Sequence, residues 1–144
     1  MLRCLLALLA LPLLAQDSKT IVKDEAAHKL LLGDHKLTLQ WLDKPAGTLK
    51  VTEKNGTLAV TGKQEEPGGK GFLRIDGIVT EIGPKSFNFR GTIVTQVSYI
   101  HAGKPCERKG EFHFLIKGPR AFWRIQEIDN PCDEAADYVD IYWK

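Results

Sequence analysis

The sequence carries no recognisable catalytic or cofactor signature. No serine sits in a G-x-S-x-G setting, so a nucleophile-elbow hydrolase is excluded. The histidines, His28, His35, His101 and His113, lack an H-x-x-x-H or similar ligand spacing, which gives no basis for a zinc site. An excess of charge of either sign is also lacking. The formal net charge is +2 at pH 7, and it falls to +1 if Arg3 is removed with a leader. Such a balance offers no electrostatic footprint for nucleic acid or for an anionic membrane. A second long apolar run is missing after residue 15, so no transmembrane segment is expected in the mature chain. At 144 residues, one domain is the natural expectation.

The N-terminus reads MLRCLLALLALPLLAQDSK. One positive charge, an apolar run over Leu5–Leu14 and a small residue at Ala15 form the layout of a secretory signal peptide. Residues 1–15 are therefore expected to be cleaved. Cys4 precedes the apolar run and leaves with it. That places the mature chain in an extracytoplasmic compartment, periplasmic or secreted, with Cys106 and Cys132 as its two cysteines.

Residues 16–34 are expected to form an N-terminal lead-in. Within it DEAAHKLLL suits one or two helical turns or a mobile segment. A single β domain is expected over 35–144. His35–Leu42 alternates, with Leu37, Leu39 and Trp41 on one face. Thr48–Thr52 and Thr57–Gly62 flank Asn55-Gly56, a strong hairpin signal. Leu49, Val51, Leu58 and Val60 then share the buried face. IDGIVTE and FRGTIVTQ echo each other about Gly83-Pro84-Lys85. Folding them together pairs Ile75 with Ile93, Val79 with Phe89 and Gly77 with Gly91. Facing glycines in long strands suit a barrel corner, or are simply tolerated. The second of these strands is expected to run on through Val97 and Tyr99 to about Ile100.

The C-terminal region holds a further hairpin, Glu111–Lys117 and Phe122–Asp129, about Gly118-Pro119-Arg120-Ala121. Apolar matching pairs Ile116 with Trp123, Phe114 with Ile125 and Phe112 with Glu127. Extended outward, the ladder sets Cys106 opposite Asp133, one position from Cys132. The thiols come within the ~7 Å between Cα atoms that a disulfide requires, so a Cys106–Cys132 bridge is expected. The last strand, Asp137–Trp143, pairs with Phe122–Ile128. Trp123 then meets Ile141, Phe122 meets Tyr142, Arg124 meets Asp140 and Gln126 meets Tyr138. An Arg124–Asp140 ion pair is expected, on a solvated face or in a lumen.

These segments make an all-β, antiparallel meander of about eight strands. A small closed or nearly closed barrel of lipocalin-like shape suits it, with a two-sheet β-sandwich as the alternative.

LQWL, FNFRGTIVTQVSYIHAGKPCERKGEFHF, FWRIQEIDNPC and the closing DYVDIYW resemble an uncharacterised family of small secreted bacterial proteins. The NPC…DYVDIYW ending is the most distinctive part. The resemblance implies a bacterial source and an extracytoplasmic place, and no activity.

Function then rests on the site. Asp129, Asp133, Glu134, Asp137 and Asp140 cluster after the last hairpin, but their spacing matches no calcium loop, and they suit solvated turns. His113 alternates with Phe112 and Phe114 as an ordinary strand residue. No cofactor and no enzymatic activity are expected. A β-barrel binding module of unknown ligand is the favoured reading. Its candidate contacts are Arg74, Arg90, Arg124, Tyr138 and Tyr142, on the polar side of the strands; the plain alternative is a solvated outer face. The other reading is a protein-interaction or inhibitor domain acting on an envelope or foreign protein. The partner would accordingly be a small molecule or an envelope protein.

Overall fold

The computed structural model describes residues 19–143. The expected signal peptide lies outside the described residues. The chain runs β1 (Ile21–Val22), α1 (Glu25–Leu31), β2 (Gly33–Leu39), β3 (Gly47–Lys54), β4 (Thr57–Glu65), β5 (Phe72–Gly83), β6 (Ser86–Gln96), a 3₁₀ turn (His101–Gly103), β7 (Cys106–Leu115), β8 (Phe122–Ile125) and β9 (Val139–Tyr142). Strands β2 to β9 pair antiparallel in sequence order, and β9 returns to β2. The sheet therefore closes into an eight-stranded barrel, not a sandwich. Closure leaves no exposed barrel edge.

The short β1 adds outside this ring, parallel to β5 at Glu81 and Ile82. A two-residue strand carries no readable period, so nothing in the pattern of residues announces it. The helix α1 starts cleanly because Asp24 caps it, accepting the Ala27 N–H at 2.8 Å. Ala27 and Leu31 bury into the core where β2 begins, closing one end of the barrel.

The expected pairings Ile75–Ile93, Val79–Phe89 and Gly77–Gly91 all form in the β5–β6 ladder. A Cβ on either glycine would fall 2.7 Å from the inward Phe89 ring. The glycines thus leave the space that this ring occupies, and the aromatic covers the backbone they expose. A register shift between Val79 and Glu81 marks a bulge that helps the long strands curl.

The interior is filled. Phe87, Phe89, Phe114, Leu37, Leu58, Leu73, Ile75, Ile93, Ile125 and Ile141 are all almost fully buried. Burying each such side chain stabilises by roughly 1.5–3 kcal/mol. Phe87 stacks on Phe114 with centroids 4.9 Å apart, and Trp123 meets Phe87 edge-on at 5.6 Å.

Three strand ends differ from the sequence expectation, all at the end of the barrel opposite α1. Strand β6 stops at Gln96, and Tyr99 is 67% exposed instead of continuing the ladder. Trp41 lies beyond β2 and is only partly buried, so it does not share the lumen with Leu37 and Leu39. Strand β8 stops at Ile125, and the chain from 126 to 138 leaves the sheet as a loop with one isolated bridge, Asp129–Ala136. Asn130-Pro131 within that loop disfavours a continuous strand. The half of β7 nearest Cys106 consequently has no β8 partner, and the loop covers it instead.

Candidate functional site

Loop 126–138 is fastened by side chains. Cys106 and Cys132 are joined by a disulfide with Cα atoms 6.0 Å apart. Asn130 Oδ1 accepts the Cys132 N–H at 2.7 Å, and its Nδ2 donates to Asp137 Oδ2 at 3.0 Å. Asp137 Oδ1 in turn accepts the Trp41 indole N–H at 3.1 Å. Arg108 reaches from β7 to donate to the Glu127 carbonyl at 2.6 Å. Burial pushes Asp137 above the usual carboxylate range, opposed by the Trp41 and Asn130 donors and then by Arg108. Burial likewise pulls Arg108 down, against the attraction of Asp137, Glu127 and Asp129.

This fastened loop forms one wall of a groove of about 540 Å³ at the barrel end. Gln40, Trp41, Tyr99 and Ile100 face Asp133, Glu134, Ala135, Ala136 and Tyr138 across it. The Trp41 and Tyr99 rings stand nearly perpendicular, 87° apart with centroids at 6.2 Å. The Tyr99 hydroxyl donates to the Trp41 carbonyl at 3.1 Å, which fixes that corner. Asp133 Oδ2 accepts the His101 N–H at 2.6 Å, and Oδ1 accepts the Glu134 N–H at 2.7 Å. These backbone donors, His101 first, hold the Asp133 carboxyl below its usual range.

A second depression, of about 300 Å³, lies beside β8. Lys117, Arg120, Arg124 and Gln126 line it together with Tyr138, so Tyr138 stands between the two. Arg124 and Asp140 form the expected pair: Nε reaches Oδ1 at 2.7 Å and a terminal nitrogen reaches Oδ2 at 2.9 Å. The hydrogen bond to Asp140 is the main reason Arg124 is raised above its ordinary value. The guanidinium also lies over the Tyr138 ring, 4.3 Å from its centroid. Tyr142 packs against Phe122 on the same outer face, the rings tilted by 43° with centroids 4.9 Å apart.

Of the five candidate contacts, Arg124, Tyr138 and Tyr142 therefore come together on the outer surface of β8 and β9. Arg74 and Arg90 do not join them. Both are exposed on the far wall; Arg74 lies over the Phe72 ring, and Arg90 sits opposite Ile78 on β5 and Glu111 on β7. Gln126 does not pair with Tyr138; its amide donates to the Arg124 carbonyl at 2.9 Å. His113 faces outward and meets Glu127 at 2.9 Å. Of the five clustered carboxylates, Asp137 and Asp140 are buried and engaged as described, while Asp129, Asp133 and Glu134 are exposed. Among the described residues no group of three His, Cys, Asp or Glu side chains is placed to hold a metal ion. Nor is any helix there long and apolar enough to cross a membrane.

Sequence reading missed Trp41 and Tyr99 as surface residues because each continues the period of the strand before it. The turn-rich DNPCDEAAD segment was the available signal that the neighbouring strands stop early.

Fold and surface together define a small β-barrel with a side-chain-filled interior and its concavities on the outside. The chain belongs to the PM1083 family, whose model matches residues 19–143. A protein of Pasteurella multocida (strain Pm70), named uncharacterized protein PM1083, is similar: 37% identical over 115 residues, covering 78% of this chain and 73% of that one. No solved structure matches.

Proposed function

We propose that the protein is an extracytoplasmic binding module that uses its barrel as a scaffold and takes its partner in the end groove. The observation that carries this reading is the contrast between a lumen packed with Phe, Leu and Ile and a rim where Tyr99 and Trp41 are brought outward. A large exposed aromatic beside an apolar concavity is costly to leave in water and is characteristic of recognition surfaces. The Cys106–Cys132 bridge, close to this groove, supports an oxidising compartment and fits the leader-like N-terminus. The NPC…DYVDIYW ending supplies the fastened wall, because it contains Asn130, Cys132, Asp137 and Tyr138. No catalytic role is proposed: the Asp137 carboxyl, raised by burial, is engaged by Trp41 and Asn130 behind the groove.

Native mass spectrometry of the protein purified from its own extracytoplasmic fraction tests the reading. An adduct carried by the wild type and lost from Tyr99→Ala places the partner in the groove. An adduct retained by Tyr99→Ala but lost from Arg120→Ala would move the site to the basic depression beside β8 and refute the assignment.

A further inference from the structure

We propose that the end groove is a site for an organic cation of the quaternary ammonium class, seated in the corner of the Trp41 and Tyr99 rings and balanced by Asp133 and Glu134. This rests on the reading of the groove as the binding face and adds the chemistry of its occupant.

The first argument is what the groove can still offer. Its directional polar groups are largely used internally. Gln40 donates to the Ala136 carbonyl at 2.6 Å and accepts the Tyr138 N–H at 2.7 Å. The Tyr99 hydroxyl and Trp41 indole N–H donate to the Trp41 carbonyl and to Asp137. The Ala135 N–H is held by the Asp133 carbonyl. What remains is the aromatic rings of Trp41, Tyr99 and Tyr138, the Tyr138 hydroxyl and negative charge, and no Lys, Arg or His lines the groove. Such a lining gives little to an anion or to a ligand recognised through its hydroxyls. It matches a cation that needs no hydrogen-bond acceptors. A quaternary ammonium spreads its charge over methyl groups, which the ring quadrupoles and nearby carboxylates both attract. An ordinary ammonium is a compact, strongly hydrated charge that gives up more water on entering an apolar corner.

The second argument is charge complementarity. The backbone N–H groups of His101 and Glu134 hold Asp133 in its ionised form. Glu134 stands next to it, exposed to solvent. The groove is negative where the neighbouring depression, with Lys117, Arg120 and Arg124, is positive. Tyr138 shows the same recognition within the molecule, since it already carries the Arg124 guanidinium over its ring.

The third is rigidity. Trp41 is tied through Asp137 and Asn130 to Cys132, so the corner is assembled before any ligand arrives. Preformed aromatic walls lower the ordering cost of binding.

The test is an NMR titration of the full mature chain with choline, read at the Trp41 indole N–H and the Tyr99 ring. Its neutral isostere 3,3-dimethylbutanol serves as control. Choline should give a saturable response that the alcohol does not. Tyr99→Ala should weaken binding by about 2- to 30-fold, the range of one exposed to desolvated cation–π contact. Glu134→Gln should weaken it by a few fold, and both substitutions are at exposed positions that leave the core intact. Vesicles separate the sources of the cation. Binding to phosphatidylcholine vesicles without a response to free choline supports the same chemistry supplied by a lipid headgroup. No response to either, an equal response to the alcohol, or binding only to phosphatidylglycerol vesicles overturns the cation assignment. The mass-spectrometric comparison is decided separately, because it asks whether the groove holds a partner of any kind.

Discussion

The two halves of the barrel are held by different means. From β3 to the start of β7 the strands are long and paired almost throughout, as in the ladder from Phe72–Gln96 to Gly83–Ser86. From β7 to β9 the ladders are short; β8 meets β7 at Phe114–Ile125 and Leu115–Arg124, with a further backbone bond from the Gln126 N–H to the His113 carbonyl at 2.7 Å. There the backbone gives way to a disulfide, a bidentate ion pair and the Asn130–Asp137–Trp41 chain. A complete ladder leaves a wall whose backbone polar groups are consumed; the depression of about 620 Å³ on the β2–β5 wall is bounded only by side chains of regular strands, among them Lys50, Lys63, Arg74 and Asp76. A broken ladder releases a loop, and the loop builds the groove. The half with the weaker sheet is thus the half whose concavity is walled by a loop and not by strand faces alone.

Four expectations sharpen or break this comparison. The largest concerns the core beneath the short ladders. Ile125 is fully buried, as is Ile75 in the long-ladder half. Either change to Ala should cost about 2–5 kcal/mol. Only Ile125→Ala should also speed hydrogen exchange in β9 before the rest of the barrel, and equal protection loss in β5 would show that the halves are one unit. Next is the bridge. Its cysteines are 26 residues apart in sequence, so Cys106→Ser with Cys132→Ser should lose about 3–4 kcal/mol in denaturant unfolding. Free-thiol labelling of the denatured, non-reduced wild type should find none.

Third, the Arg124–Asp140 pair sits on the outer face, with side chains 24% and 7% exposed. A double-mutant cycle with Arg124→Ala and Asp140→Ala should give a coupling of about 1–2 kcal/mol, between the values for exposed and buried pairs. A coupling near zero would mean that packing, not the pair, holds β8 to β9.

The smallest effects are in pH. Asp137 is raised in the folded protein by burial, so folding favours its protonated form. Its contribution is fully present below the ordinary carboxylate pKa and is lost as pH rises through the raised value. Asp133 is lowered by its backbone donors, so its contribution is present above the ordinary pKa and lost as pH falls through the lowered value. Asp137→Asn should therefore flatten the loss of stability on the rising side. Asp133→Asn should flatten it on the acid side. Urea midpoints measured across pH 3–8 check both signs, and unchanged profiles would place neither carboxylate where the loop network has it.

Alternation and turn chemistry were enough for most of the barrel. Leu49, Val51, Leu58 and Val60 are inward because a strand's period is two and only one face meets the core. The Gly77–Gly91 and Trp123–Ile141 pairs follow from the same rule, since a slip by one residue would turn every apolar side chain outward. The Cys106–Cys132 bridge was legible because hairpin register carries proximity over a distance in sequence. Where a strand stops is a different matter. Tyr99 and Trp41 keep the period of β6 and β2, yet neither continues its ladder. Only tertiary structure decided that, because a ladder ends where its neighbour turns away, and that neighbour lies elsewhere in the chain. The groove inherits this non-locality: its walls come from residues 40–41, 99–100, 133–136 and 138, and no local pattern brings them together. The sequence determined which faces are buried, through local stereochemistry; the closed barrel decided which residues were left over at its rim.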